Sequence, residues 1–199
     1  RDLHSFPTRR SSDLEVLFVG MEPAIKPAVE ITHTKKVGVL ATPATFQGEL
    51  YSSVVERFVS DVQIFQNTCP GLVKQIEKGE LETTETRLIL EEALLPMLEN
   101  NIDTVVLGCT HYPFVISQIK KIVRDNIKII DPTEAIVRRV ETLLKEKENS
   151  FLKFKIDKED IEIFTSGNKD DLNIVVSKLL SKNINIKKAN WTSDLKIIV

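Results

Sequence analysis

Several absences narrow the reading before any motif is considered. The chain has only two cysteines, Cys69 and Cys109, too few for a disulfide framework. That usage fits a reducing cytoplasm, with both thiols free for chemistry. Net charge is nearly absent: 27 Lys and Arg stand against 29 Asp and Glu, so no overall field draws the chain to nucleic acid or an anionic membrane. No uninterrupted apolar run reaches membrane-spanning length, and the residues up to Asp13 contain no apolar core of a secretory signal. The phosphate-loop pattern Gly-x-x-x-x-Gly-Lys-Ser/Thr does not occur, nor does Gly-x-Gly-x-x-Gly, which weakens nucleotide and nicotinamide readings.

What is present is an ordinary globular composition, 42% hydrophobic and 28% charged, on a chain long enough for one large or two small domains. Residues 1–14 show neither helix nor strand period and resemble a translated sequencing adapter, the alternative being a disordered native tail; they are set aside. From Glu15 short apolar runs alternate with helical patterns. Strands are expected at Val16–Gly20, Val37–Ala41, Val62–Phe65, Thr104–Gly108, Ile127–Ile130 and Ile161–Phe164. Helices are expected after Pro23 and over Phe46–Ser60, Pro70–Lys78, Glu82–Glu99, Phe114–Arg124, Pro132–Lys147 and Lys169–Leu180. In the Glu82–Glu99 helix, Leu88, Leu94, Leu95 and Leu98 suggest the apolar face. This alternation predicts an α/β fold, a parallel sheet flanked by helices. Beyond a charged linker after Glu148, the last piece is too small to bury a sheet alone and calls for a partner surface.

Ligands of doubly wound sheets sit at the carboxyl ends of the strands. Two segments fall there: Thr42-Pro43-Ala44-Thr45 and Gly108-Cys109-Thr110-His111-Tyr112-Pro113. A buried cysteine is more often inert than reactive. Cys109, however, lies between a strand and a helix start, where amide N–H groups, the helix dipole and a nearby imidazole favour thiolate. His111 can tune a proton exchanged by Cys109 or bind a carboxylate, or simply be hydrogen-bonded in its loop. Thr110 is either a turn residue or an anion-holding hydroxyl and amide. A phosphatase loop fails because Val115 stands where its arginine is needed, and a zinc site fails because only Cys109 and His111 lie close together. A thiol hydrolase stays open, since Cys plus His is its minimum equipment.

The string Val106-Leu107-Gly108-Cys109-Thr110-His111-Tyr112-Pro113-Phe114 closely resembles the second catalytic-cysteine motif of the glutamate racemase family. Four further segments are similar to that family and follow in its order: Val19–Val29, Val37–Thr45, Cys69–Gly79 and Phe164–Gly167. The related aspartate racemases usually carry Glu where His111 stands, which favours the glutamate branch.

The resemblance implies racemisation of L- and D-glutamate, supplying D-glutamate for peptidoglycan, with no metal, pyridoxal phosphate or nucleotide. One thiolate removes the α-proton while a thiol on the opposite face returns one. By motif position Cys109 is one of these thiols, and His111 tunes it. Thr42, Thr45, Thr110, His111 and, less directly, Glu77 contact or surround the substrate, glutamate; the bland reading of Glu77 is a solvated helix-end carboxylate. Cys69 matches a non-catalytic family cysteine. The family's other catalytic thiol, in a Cys-Asn-Thr motif, has no match here, so the expectation is an N-terminally truncated and inactive fragment. Residues 15–34 would close the first domain, 35–134 would form a complete flavodoxin-like second domain, and 135–199 would return to the first. A homodimer of the full-length protein stays open. So do another Asp/Glu-family racemase and a non-catalytic glutamate-binding derivative.

Overall fold

The computed structural model describes residues 19–20, 23–59, 61–123, 125–146, 162–180, 184–192 and 197–198. Helix α1 (Ile25–Ile31) leads into β1 (Lys36–Leu40), followed by α2 (Pro43–Phe46), α3 (Glu49–Phe58) and β2 (Gln63–Asn67). Then come α4 (Leu72–Glu77), α5 (Thr84–Glu99), β3 (Thr104–Leu107), a 3-10 turn (Tyr112–Val115), α6 (Ile116–Val123), β4 (Lys128–Ile130) and α7 (Thr133–Glu146). The C-terminal segment holds β5 (Ile163–Thr165), α8 (Lys169–Leu180), β6 (Ile186–Lys188), β7 (Asn190–Trp191) and β8 (Ile197–Ile198).

The first four strands form one parallel sheet in the order β2-β1-β3-β4. Period-two alternation divides its side chains between two cores. Leu40, Val105 and Leu107 pack with Leu72, Ile76, Leu90, Leu94 and Ile119 of α4, α5 and α6. Val37, Val39, Ala41 and Val106 pack with Ile25, Ala28, Tyr51 and Val54 of α1 and α3. Both faces are therefore covered, as the short apolar runs imply. Leu40 is opposite both Asn67 and Leu107, so β1, β2 and β3 end level with one another. The chain leaves β1 toward β2 and later returns on the other side as β3, placing the topological switch between β1 and β3.

Three expectations are corrected. The helix expected over Phe46–Ser60 is two helices, broken at Gln47-Gly48. The stretch expected to start a helix at Phe114 opens with the 3-10 turn. On α5 the buried face is Leu90, Ala93, Leu94 and Met97, whereas Leu88 and Leu95 are 57% and 48% exposed. At about 100° per residue, Leu88 and Leu95 form a stripe roughly 100° away from Leu94, so the four leucines never shared one face. The expected strand Val16–Gly20 lies outside the described residues except for Val19 and Gly20, which are not in a strand. The tail 1–14, the linker after Glu148 and the expected element ends Ser60, Arg124, Lys147 and Ile161 also lie outside them.

The C-terminal segment contains a two-stranded parallel sheet, β5 with β6, and an antiparallel pair, β7 with β8. Phe164, Ile174 and Trp191 are exposed, as are Val137, Val140 and Leu144 along one side of α7.

Opposite the site edge, Asp103 ties the β3 start to the loop before β1. Its carboxylate accepts from the Thr32 hydroxyl at 2.6 Å, the His33 and Thr34 amides at 2.6 and 2.9 Å, and the Thr104 hydroxyl at 3.0 Å. Desolvation by itself would raise this carboxyl, but the Thr32, Thr34, His33 and Thr104 donors together hold it down to about 2. Its folded value thus lies below the unfolded one of about 3.9. The stability it contributes is fully present above that unfolded value and is lost as pH falls toward about 2. Asp103→Ala should cost about 1–2 kcal/mol in urea unfolding at neutral pH, a modest figure because the group is well solvated. The gap from wild type should narrow in acid; an unchanged gap at the lowest pH would overturn the assignment.

Candidate active site

The site is built where β1 and β3 end side by side. Gly108 follows β3 and donates its N–H to the Leu40 carbonyl at 2.7 Å. A Cβ on Gly108 would lie 2.9 Å from the Ala41 Cβ and 3.1 Å from the Pro23 Cγ, so only glycine fits without displacing its neighbours. This close approach brings the two loops together. The Thr42 and Thr45 hydroxyls are 3.1 Å apart, and the Thr45 hydroxyl donates to the Gly108 carbonyl at 3.5 Å.

Cys109 is 7% exposed. Its Sγ lies 3.8 Å from His111 Nδ1, and His111 Nε2 lies 3.3 Å from Glu77 Oε1 at the end of α4. Thiol, imidazole and carboxylate therefore stand in line, drawn from the β3 loop and a helix more than thirty residues upstream. The sequence-predicted residues Cys109, His111 and Glu77 come together here, and Thr42 with Thr45 border them through Gly108. Thr110 is exposed on the loop beside Cys109.

The expected thiolate is not what the surroundings favour. Burial pushes the Cys109 thiol above its ordinary value, and the His111 and Tyr112 amides only partly offset this. The surroundings of Cys109 therefore favour the thiol over the thiolate. The helical segment after the site opens as a 3-10 turn at Tyr112 and runs directly into α6 at Ile116.

Cys69 is set apart by burial. It is 2% exposed, and desolvation pushes its thiol up to about 12, with the nearby Cys109 adding to the rise and the Tyr112 hydroxyl opposing it. The backbone at Cys69 is left-handed (φ 44°), fixed by its N–H donating to Asn67 Oδ1 at 2.8 Å. Sequence reasoning missed Tyr112, which is fully buried and donates its hydroxyl to the Thr68 carbonyl at 3.2 Å. That bond clamps the loop after β2 to the loop after β3. The available signal was a tyrosine within the strand-end motif, five residues past the end of β3, where a buried hydroxyl needs a partner.

The fold defines the class, an α/β protein with a doubly wound parallel sheet, and a thiol, an imidazole and a carboxylate meet at its switch point. The chain belongs to the Asp/Glu/hydantoin racemase family, whose model matches residues 17–140. It is 46% identical over 142 residues to the glutamate racemase of a Sulfurovum species, covering 70% of this chain and 54% of that one. It is 38% identical over 181 residues to the glutamate racemase of Aliarcobacter butzleri, covering 90% of this chain and 67% of that one. The structure is similar to that of Escherichia coli glutamate racemase in complex with L-glutamate and the activator UDP-MurNAc-Ala, with a TM-score of 0.75, 26% identity, and coverage of 98% of this chain and 70% of that one. The chain thus spans about half the length of the Sulfurovum relative.

Proposed function

We propose that this chain carries one of the two acid–base thiols of a cofactor-independent glutamate racemase, and that the opposing thiol comes from outside these 199 residues. The observation that carries this reading is the 3.8 Å approach of Cys109 Sγ to His111 Nδ1 at the switch between β1 and β3. The names of the relatives supply the substrate. In one direction a thiolate on the far face takes the α-proton of glutamate, and the Cys109 thiol gives its proton to the planar carbanion. The reverse direction needs Cys109 as thiolate, which the two loop amides and the His111 ring beside the sulfur, oriented by Glu77, would favour. Thr42, Thr45 and Thr110 offer hydroxyls and amides to the substrate carboxylates, so that charge growing at the α-carbon meets fixed dipoles. The product D-glutamate would serve peptidoglycan synthesis in the cytoplasm.

Proton-exchange NMR in D2O tests this. The chain alone should neither exchange the α-proton of glutamate nor interconvert its enantiomers, because Cys69 is buried and held protonated. Joined to the part of the Aliarcobacter butzleri enzyme that the match leaves uncovered, it should do both. A folded, glutamate-binding fusion without exchange would sink the racemase reading. The same in-line Cys-His-Glu geometry also suits a nucleophilic thiol. Turnover of an acyl donor through a Cys109 thioester, with no α-proton exchange, would decide for a hydrolase.

A further inference from the structure

Glu77 is the last residue of α4, so its position depends on how that helix ends. The end closes through Gly79 at φ +69°, with the Gly79 amide donating to the Ile76 carbonyl at 2.8 Å and the Glu80 amide to the Gln75 carbonyl at 2.9 Å. This pattern uses the acceptors up to Ile76 and leaves the Glu77 and Lys78 carbonyls beyond the helical ladder. Lys178 of α8, one hundred residues further along the chain, donates its Nζ to the Lys78 carbonyl at 3.2 Å. Its stem lies over Gly79, where an added Cβ would come within 2.4 Å of Lys178 Cδ. The neighbouring Leu179 packs against the core that contains Ile76 and Cys109. Charge, stem and neighbour thus act at one place. The cation meets the negative end of the helix dipole, and the stem fills the space that glycine leaves.

We propose that Lys178 is a positioning residue for the candidate site. By capping the C-terminus of α4 it holds Glu77 against His111, and through His111 it sets the reactivity of Cys109. The last helix of the chain is in this way tied to the chemistry at the β3 loop. The proposal rests on reading Cys109, His111 and Glu77 as one acid–base line, but its test needs no racemisation.

The readout is the rate of Cys109 alkylation by iodoacetamide at neutral pH, followed by peptide mapping on the full chain. Glu77→Gln and Lys178→Met should each slow the reaction roughly fivefold, the effect of losing one orienting hydrogen bond. The double variant should be no slower than Glu77→Gln alone, because both act through the same carboxylate. Lys178→Arg should restore the wild-type rate, and Lys178→Ala should behave as Lys178→Met with a lower melting temperature. If Lys178 only anchors α8, Lys178→Met lowers the melting temperature and leaves the alkylation rate at wild type; that outcome overturns the proposal. Slowing by the product of the two single effects in the double variant also overturns it. A Glu77→Gln protein alkylated at the wild-type rate removes Glu77 from the acid–base line and Lys178 with it.

Discussion

Cys109→Ala, introduced into the completed enzyme of the fusion above, should lower the rate of α-proton exchange at least a thousandfold. A positioned acid–base group contributes on the order of 10²–10⁴ in rate, and on the proposed reading the group is also the atom that must receive or give the proton. No other described side chain can take over. His111 has its Nδ1 3.8 Å from the sulfur and its Nε2 engaged by Glu77, and Cys69 is buried with its thiol held at about 12. Binding should suffer far less, because the proposed carboxylate contacts come from Thr42, Thr45 and Thr110 rather than from sulfur. The expected signature is therefore a collapse of kcat with KM changed only a few-fold. Cys109→Ser should fall nearly as far, since an alkoxide is much harder to form than a thiolate in a pocket that already opposes charge. A Cys109→Ala enzyme that keeps even a tenth of the exchange rate would show that the proton moves through another group.

The reach and the limits of the sequence reading follow from what each signal measures. Apolar runs such as Val37–Ala41 and Thr104–Gly108 were legible because strands covered on both faces carry their burial in consecutive residues; Val37, Val39, Leu40, Val105, Val106 and Leu107 all have no exposed surface. Placing Cys109 at the strand end followed from those runs. The face of α5 was not legible from leucine content, because a helix angle and not residue type decides which leucine is buried. The direction of the Cys109 shift is not legible in the sequence, because dipoles and neighbours can be read from spacing, whereas desolvation depends on packing by distant segments. Glu77 illustrates the same point from the other side. Its meeting with His111 joins residues 77 and 111 through the level ends of β1, β2 and β3, and spacing along the chain carries no trace of it. Motif resemblance supplied that residue where physical reading could not.

Gly108→Val should destabilise the folded chain by about 3 kcal/mol, since overpacking at a rigid contact costs about 1–3 kcal/mol and a β-branched side chain cannot turn away from it. The obstacles are fixed ones. They are the Cβ of Ala41 at 2.9 Å, the ring of Pro23 at 3.1 Å and the Leu40 carbonyl at 3.3 Å, each belonging to backbone or to a group without rotamers. The shift must therefore be taken up by separating the β1 and β3 ends, which strains the Gly108–Leu40 hydrogen bond of 2.7 Å and the Thr45–Gly108 contact of 3.5 Å. Urea unfolding followed by circular dichroism should show a midpoint lower by roughly 1–3 M, from a slope of about 1–3 kcal/mol per M. Gly108→Ala should cost less, and the Ala41→Gly change should recover part of that loss when combined with it, because the 2.9 Å contact is between those two positions. A Gly108→Val protein with the wild-type midpoint, or an Ala41→Gly change that adds its own loss without any recovery, would show that the two strand ends can part freely. The close approach would then owe nothing to the missing side chain. With both strand ends held, the same glycine that stabilises the sheet also brings the threonine loop within reach of the loop that carries Cys109.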